Sequence, residues 1–101
     1  MKTFADRLRE DRRLVALRLL SEQRSYMMNS SNLHAGLEYL SIPCSRGDVL
    51  SDLRFLSDNG LVNLMPIEDI EGLYGVTLTR AGRDVATGHQ TVPGIAKPAP
   101  K

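Results

Sequence analysis

The chain is poor in the residues that mark several large classes of protein. It has one cysteine, no tryptophan and an aromatic fraction of 5% in 101 residues. The lone Cys44 cannot form an internal disulfide, and a chain without a disulfide framework fits a reducing compartment. No apolar run approaches the roughly 18 residues that a transmembrane helix needs. We therefore expect a soluble intracellular protein with one domain and one modest core.

The sequence also lacks the residue patterns of a catalytic or metal-binding site. Cys44 has only His34 and His89 as possible partners, and no acid–histidine–nucleophile spacing accompanies them. Two histidines and one cysteine that are far apart in sequence are poor candidates for metal ligands, and no glycine-rich phosphate loop is present. We expect no enzyme activity, no cofactor and no small-molecule ligand, and we interpret Cys44 as a structural thiol.

Charge is unevenly distributed along the chain, although the net charge is only +1. Seven bases and four acids give residues 1–29 a net charge of +3. Two bases and seven acids give residues 30–78 a net charge of −5, and four bases and one acid give residues 79–101 a net charge of +3. An acidic centre lies between two basic ends, which restricts where the chain can contact phosphates.

Helical periodicity dominates the first two-thirds of the chain. Residues 4–20 place apolar side chains near one helical face, with Phe4, Leu8, Val15 and Leu19 as its centre and Leu14, Leu17 and Leu20 widening it. After a short extended stretch at 26–29, Ser30 or Ser31 is in position to cap a second helix. Pro43 ends that helix, because the residue before a proline is forced out of the helical conformation.

Two helices begin with the spacing of a capping box, in which a hydroxyl and an acid three positions later cap each other. The pairs are Thr3 with Asp6 and Ser45 with Asp48. The third helix, which Ser45 starts, ends at Asn59-Gly60. The second and third helices are therefore joined by a turn of a few residues, which makes them a helix-turn-helix candidate.

The last third of the chain alternates polar and apolar residues as β-strands do. Residues 61–65 and 74–79 are predicted to pair as a hairpin around the polar loop 66–72. Thr79 then caps a short closing helix that stops at Gly88.

The order of these elements resembles the winged helix-turn-helix superfamily. Asn59-Gly60-Leu61-Val62 is similar to its glycine turn into the first wing strand, and Leu78-Thr79-Arg80-Ala81-Gly82 to its lead into a closing helix. The resemblance implies an α+β, mostly α fold of three helices, a two-stranded β-hairpin wing and a short closing C-terminal helix. We assign residues 1–95 to this domain and residues 96–101 to a disordered, proline-rich tail.

Further segments are similar to the small winged-helix proteins encoded by Mu-like phages and prophages. They are residues 10–20, residues 33–37 with Ser45 and Arg46, and residues 92–94. This resemblance implies a phage or prophage origin, and with it the cytoplasm of a bacterial host. It implies no known target.

The superfamily resemblance makes double-stranded DNA the leading candidate partner, as a transcriptional regulator or another DNA-associated factor. The N-terminal residues of the third helix would face base edges, with Arg46 contacting guanine and Arg54 the backbone. The candidate DNA-binding residues are Ser45, Arg46, Ser51, Arg54, Arg80 and Arg83. Further positive charge would come from the first helix, through Arg7, Arg9, Arg12 and Arg13.

Acidic residues oppose this hypothesis. The third helix carries three acids beside Arg46 and Arg54, which are Asp48, Asp52 and Asp58. The wing offers three more where DNA-binding wings present lysine or arginine, namely Glu68, Asp69 and Glu71. Because non-specific affinity comes from neutralising phosphates, the wing cannot be the main phosphate clamp.

The alternative is a protein-interaction module, a dimeric scaffold or adaptor that does not bind DNA. The first helix has more apolar positions than one small core plainly needs, and most small oligomers are two-fold dimers. We therefore expect a homodimer, with Leu14, Leu17 and Leu20 as candidate interface residues.

Overall fold

The computed structural model describes residues 1–99, which form four α-helices and one three-stranded antiparallel sheet. In chain order the elements are α1 (Phe4–Ser21), β1 (Met27–Asn29), α2 (Ser30–Tyr39), α3 (Arg46–Asp58), β2 (Val62–Pro66), β3 (Tyr74–Leu78) and α4 (Arg80–Thr87). The architecture is α+β and mostly helical, as predicted. Within residues 1–99, no helix combines the length and the apolar character needed to cross a membrane.

The sheet has three strands, so the prediction of a two-stranded hairpin is wrong in strand count. The extended stretch after α1 is β1, which pairs with β3 and places Met28 opposite Val76. Strand β2 pairs with the other edge of β3 and places Leu64 opposite the same Val76. A strand of three residues is too short to show alternation, and its partner lies far along the chain, so the sequence pattern carries no sign of this pairing.

Polar side chains cap the N-termini of α1, α3 and α4. Thr3 Oγ1 accepts the backbone N–H of Asp6, and Asp6 Oδ2 accepts the backbone N–H of Thr3, which confirms the first predicted capping box. Ser45 and Asp48 form the second one in the same way. Thr79 caps α4, as predicted, by accepting the N–H of Gly82 at 3.0 Å.

The cap of α2 differs from the prediction by one residue. The side chain of Asn29, rather than that of Ser30 or Ser31, accepts the N–H of Asn32 at 2.7 Å. Ser30 is buried instead, and its hydroxyl accepts the N–H of Tyr74 at 3.1 Å. This hydrogen bond ties the start of α2 to β3.

Leucine side chains from α1, α2 and α3, together with valines from the sheet and α4, fill the core. The fully buried ones are Leu17, Leu20, Leu33, Leu37, Leu53, Leu56 and Leu61, together with Val62, Val76 and Val85. Leu37 of α2 and Leu53 and Leu56 of α3 are exposed by 1% or less. Leu53 and Leu56 therefore lie on the buried face of α3.

The candidate dimer residues lie in this core as well. Leu14, Leu17 and Leu20 are exposed by 7%, 0% and 0%. Leu17 and Leu20 offer no accessible surface to a second copy and Leu14 offers little, so the burial of these side chains opposes their assignment to a dimer interface, which stays a prediction. They fill the space between α1 and the rest of the chain.

The segment after α4 returns to α1. Ile95 is buried, the N–H of Ala96 donates to the Glu10 carbonyl at 3.2 Å, and Arg13 Nη1 donates to the Gly94 carbonyl at 3.0 Å. The tail assigned to residues 96–101 thus begins at Ala96, which is hydrogen-bonded to α1. Its last two residues, 100 and 101, lie outside the described part of the chain, and its disorder stays a prediction.

Candidate nucleic-acid interface

Helix α3 has one buried and one exposed face. The buried residues recur at helical spacing and are Val49, Asp52, Leu53 and Leu56. Ser51 and Arg54, two of the candidate DNA contacts, are both exposed on the other side. They are three residues apart, so their side chains are neighbours on the helix surface.

Asp52 is buried and does not belong to the exposed acids of α3. Its side chain is 4% exposed, Arg12 Nε donates to its Oδ2 atom, and Arg13 Nε donates to its Oδ1 atom at 3.1 Å. The signal was present in the sequence, because Asp52 follows Val49 by three residues and precedes Leu56 by four. An acid within an apolar stripe needs a buried cationic partner.

The burial of Asp52 changes the charge balance of α3. With this carboxylate turned inward and paired, Arg46 and Arg54 face only Asp48 and Asp58 as exposed acids of the helix. The accessible part of α3 is therefore neutral rather than negative.

The side chains of Arg12 and Arg13 bind Asp52 and are therefore not available to bind phosphates. The hydrogen bond to Asp52 raises the pKa of Arg12 above its ordinary value. The guanidinium of Arg13 also lies 3.9 Å from the centre of the Phe55 ring, a cation–π contact. The expectation that these two arginines supply positive charge to DNA is wrong for this conformation.

Ser45 and Asp48 form the N-terminal cap of α3. The Ser45 hydroxyl accepts the N–H of Asp48 at 3.0 Å, and the backbone N–H of Ser45 donates to Asp48 Oδ2 at 2.9 Å. The backbone N–H and then the hydroxyl of Ser45 hold the pKa of Asp48 below its usual range. Asp48 is therefore ionised at neutral pH.

Arg46 lies in a groove between α2, α3 and the β2–β3 loop (residues 67–73). The groove has a volume of about 280 Å³, and its lining includes Ser30, Ser31, His34, Arg46, Ile70 and Gly72. Arg46 reaches the loop, since a Cβ added at Gly72 would lie 3.2 Å from its Nη2 atom. Because that loop also carries the exposed Glu68, Asp69 and Glu71, the groove combines one cation with a negative edge.

His34 and Cys44 meet at the side of this groove without forming a nucleophile pair. His34 Nε2 lies 2.7 Å from the carbonyl oxygen of Cys44, so the contact is with the backbone and not with the thiol. Burial raises the pKa of the Cys44 thiol, which reduces its thiolate fraction. Among residues 1–99, no three histidine, cysteine or acidic side chains are grouped closely enough to hold a metal ion.

The two α4 arginines occupy a second location. Arg83 is half-buried, and its guanidinium lies 4.7 Å from the centre of the Tyr26 ring. Arg80 and Arg83 line a shallow depression of about 350 Å³ with Asp84, Thr87 and His89. This depression shares no lining residue with the groove around Arg46. The structure thus separates the six candidate DNA-binding residues into an α3 group and an α4 pair.

Comparison with known proteins relates the chain to a phage. It is 38% identical over 96 residues to the uncharacterized protein gp26 of Escherichia phage Mu, an alignment that covers 95% of this chain and 96% of the phage protein. No family model matches the chain, and no solved structure is significantly similar to it.

Proposed function

The chain belongs to the family of the Mu phage protein gp26, and we propose that it is a winged-helix protein of phage or prophage type that binds double-stranded DNA through α3. The element order and the sheet order β1-β3-β2 support the winged-helix assignment. In this assignment α2 and α3 are the helix-turn-helix, and β2, β3 and their loop are the wing.

The exposed face of α3 is the observation that carries the proposal. It presents Ser51 and Arg54 to solvent, while the acid between them in sequence, Asp52, is turned into the core and paired. A helix that enters the major groove needs small polar and cationic side chains on its accessible face, because these contact base edges and phosphates. Arg46 adds a cation at the N-terminal end of the same helix.

Binding of a random-sequence duplex across a salt series tests the proposal. The wild-type affinity is expected to fall linearly with salt on logarithmic axes, because phosphate contacts release counterions. Arg54→Ala is expected to lower that slope by about one and to weaken all sequences alike. Arg46→Ala is expected to cost about 1–3 kcal/mol on a preferred site and little on random duplex, because it would read a base.

Lys97→Ala is the matched control. It removes one exposed positive charge from the segment after α4, outside both groups of candidate residues. If Lys97→Ala and Arg54→Ala lowered duplex affinity equally, the loss would be explained by net charge alone. That result would contradict a specific interface on α3. A wild-type protein without salt-dependent duplex affinity would favour the alternative, a dimeric scaffold or adaptor.

A further inference from the structure

Four apolar side chains on one face of α1 are not fully buried, and two of them, Val15 and Leu19, pack against the edge of the core. Phe4 and Leu8 are 74% and 51% exposed, and Val15 and Leu19 are half-buried. At about 100° per residue the four side chains lie within about 60° of the helix circumference. The first helix therefore has two apolar faces, one filled by its own core and one open.

The open face of α1 continues into a groove against α2. The groove has a volume of about 460 Å³, and the charged Arg18 and Glu22 line it together with Val15, Leu19, Gly36, Tyr39 and Leu40. Gly36 keeps it open, since a Cβ there would lie 3.2 Å from Leu19 Cδ1. Tyr39 and Leu40 are 88% and 47% exposed. We call Phe4, Leu8, Val15, Leu19, Tyr39 and Leu40 the α1–α2 patch. Large exposed apolar patches mark interaction sites.

Charged side chains follow the same face of α1 in alternating sign. They are Arg7, Asp11, Arg18 and Glu22, three positions after each apolar residue of α1 in the patch. All four are exposed, and within residues 1–99 none of them takes part in an ion pair. From the N-terminus the four charges run positive, negative, positive, negative, and from the C-terminus they run in the opposite order. An antiparallel second copy of α1 therefore places an opposite charge beside each of the four. A parallel copy in the same register would place a like charge there.

We propose that the α1–α2 patch binds a second copy of this chain, with the two α1 helices antiparallel about a two-fold axis near residue 13. In this register, and with a rise of about 1.5 Å per residue, Phe4 lies within one turn of Leu19 of the second copy and Leu8 within one turn of Val15. Arg7 lies within one turn of Glu22 of the second copy, and Asp11 within one turn of Arg18. A two-fold axis forms every such contact twice.

The charge pattern is the reason for choosing a second copy over another partner. One helix supplies both the apolar residues that need covering and the complementary charges that would flank them. The inference is independent of DNA binding, since no residue of the patch belongs to the α3 or α4 groups.

Sedimentation equilibrium from low to high micromolar concentration measures the association. The wild type is expected to be dimeric, and Leu8→Glu is expected to weaken the dimer by at least about tenfold by placing two buried charges in the interface. Ile70→Glu is the matched control, because Ile70 is 53% exposed, close to the 51% of Leu8, and lies in the β2–β3 loop. It is expected to leave the dimer unchanged.

Charge reversal distinguishes self-association from any other use of the patch. Arg7→Glu is expected to weaken the dimer by about tenfold, and the addition of Glu22→Arg in the same chain to restore it, because the pair is then re-formed with its signs exchanged. Circular dichroism checks that each variant is folded. A monomeric wild type over the whole range, equal effects of Leu8→Glu and Ile70→Glu, or no restoration by the second charge change would overturn the proposal.

Discussion

Arg12 of α1 donates a hydrogen bond from Nε to Oδ2 of Asp52 on α3, and this contact joins the first helix to the third. Arg13 donates to the other carboxylate oxygen at 3.1 Å, so both oxygens of the buried acid have cationic partners. A buried carboxylate is tolerated only when it is paired in this way. The same contact removes a negative charge from the face of α3 that is proposed to meet DNA.

Loss of this acid is expected to destabilise the fold. Asp52→Asn leaves Arg12 and Arg13, whose side chains are 14% and 12% exposed, without their counter-charge. The free energy of unfolding, measured with urea, is expected to fall by about 3 kcal/mol, the lower end of the range for breaking a buried pair. Asp58→Asn, at the exposed end of α3, is expected to change it by less than about 0.5 kcal/mol. Equal effects of the two substitutions would contradict the structural role of Asp52.

Two helical glycines are expected to respond oppositely to alanine. A Cβ at Gly82 would overlap the carbonyl oxygen of Leu61 and approach Leu78 Cδ1, so Gly82→Ala forces α4 away from Leu61, the residue before β2. We expect a loss of about 3 kcal/mol. At Gly47 the nearest atom is Ser45 Oγ at 3.6 Å, and Gly47→Ala is expected to stabilise the protein by up to about 1 kcal/mol through helix propensity. Thermal unfolding of both variants tests this, and a harmless Gly82→Ala would mean that the α4 packing is misplaced.

Acid is expected to weaken the α3 cap. Hydrogen bonds from Ser45 hold the pKa of Asp48 below its usual range. A carboxyl whose folded pKa lies below its unfolded value of about 3.9 stabilises the fold above that pH and loses its contribution as the pH falls through the folded pKa. Asp48→Asn is therefore expected to be less stable than the wild type at pH 7, and the difference is expected to vanish once Asp48 of the wild type is protonated. A difference that persists or grows in acid would contradict the assignment.

The acids of the β2–β3 loop are expected to oppose any duplex binding. Glu68, Asp69 and Glu71 are exposed beside the groove that holds Arg46. Replacing them together with Gln, Asn and Gln removes three negative charges near the phosphates, so duplex affinity at fixed salt is expected to stay equal or to rise. Abolished binding would show that the loop acids contribute positively, for example through base contacts.

Among the candidate site residues, Ser51 and Arg54 could be assigned to an exposed face from periodicity alone, because α3 buries Val49, Leu53 and Leu56 at regular helical spacing. The ion-pair partners of the charged residues could not be assigned from the sequence. Arg12 and Arg13 belong to a charged run that is typical of a solvated helix surface, and only the packing of α1 on α3 shows that they face Asp52.

The sequence by itself determined the local features of this protein. The caps at Thr3, Ser45 and Thr79 join groups three residues apart, and the apolar stripe of α3 repeats within one helix, so each is decided by neighbours in the chain. Tertiary structure decided the rest. Pairing of β1 with β3 places Met28 opposite Val76, with α2, α3 and β2 between them in the chain, and the choice between the two apolar faces of α1 depends on which one the other helices cover. Both outcomes depend on the packing of segments far apart in sequence, which no local pattern records.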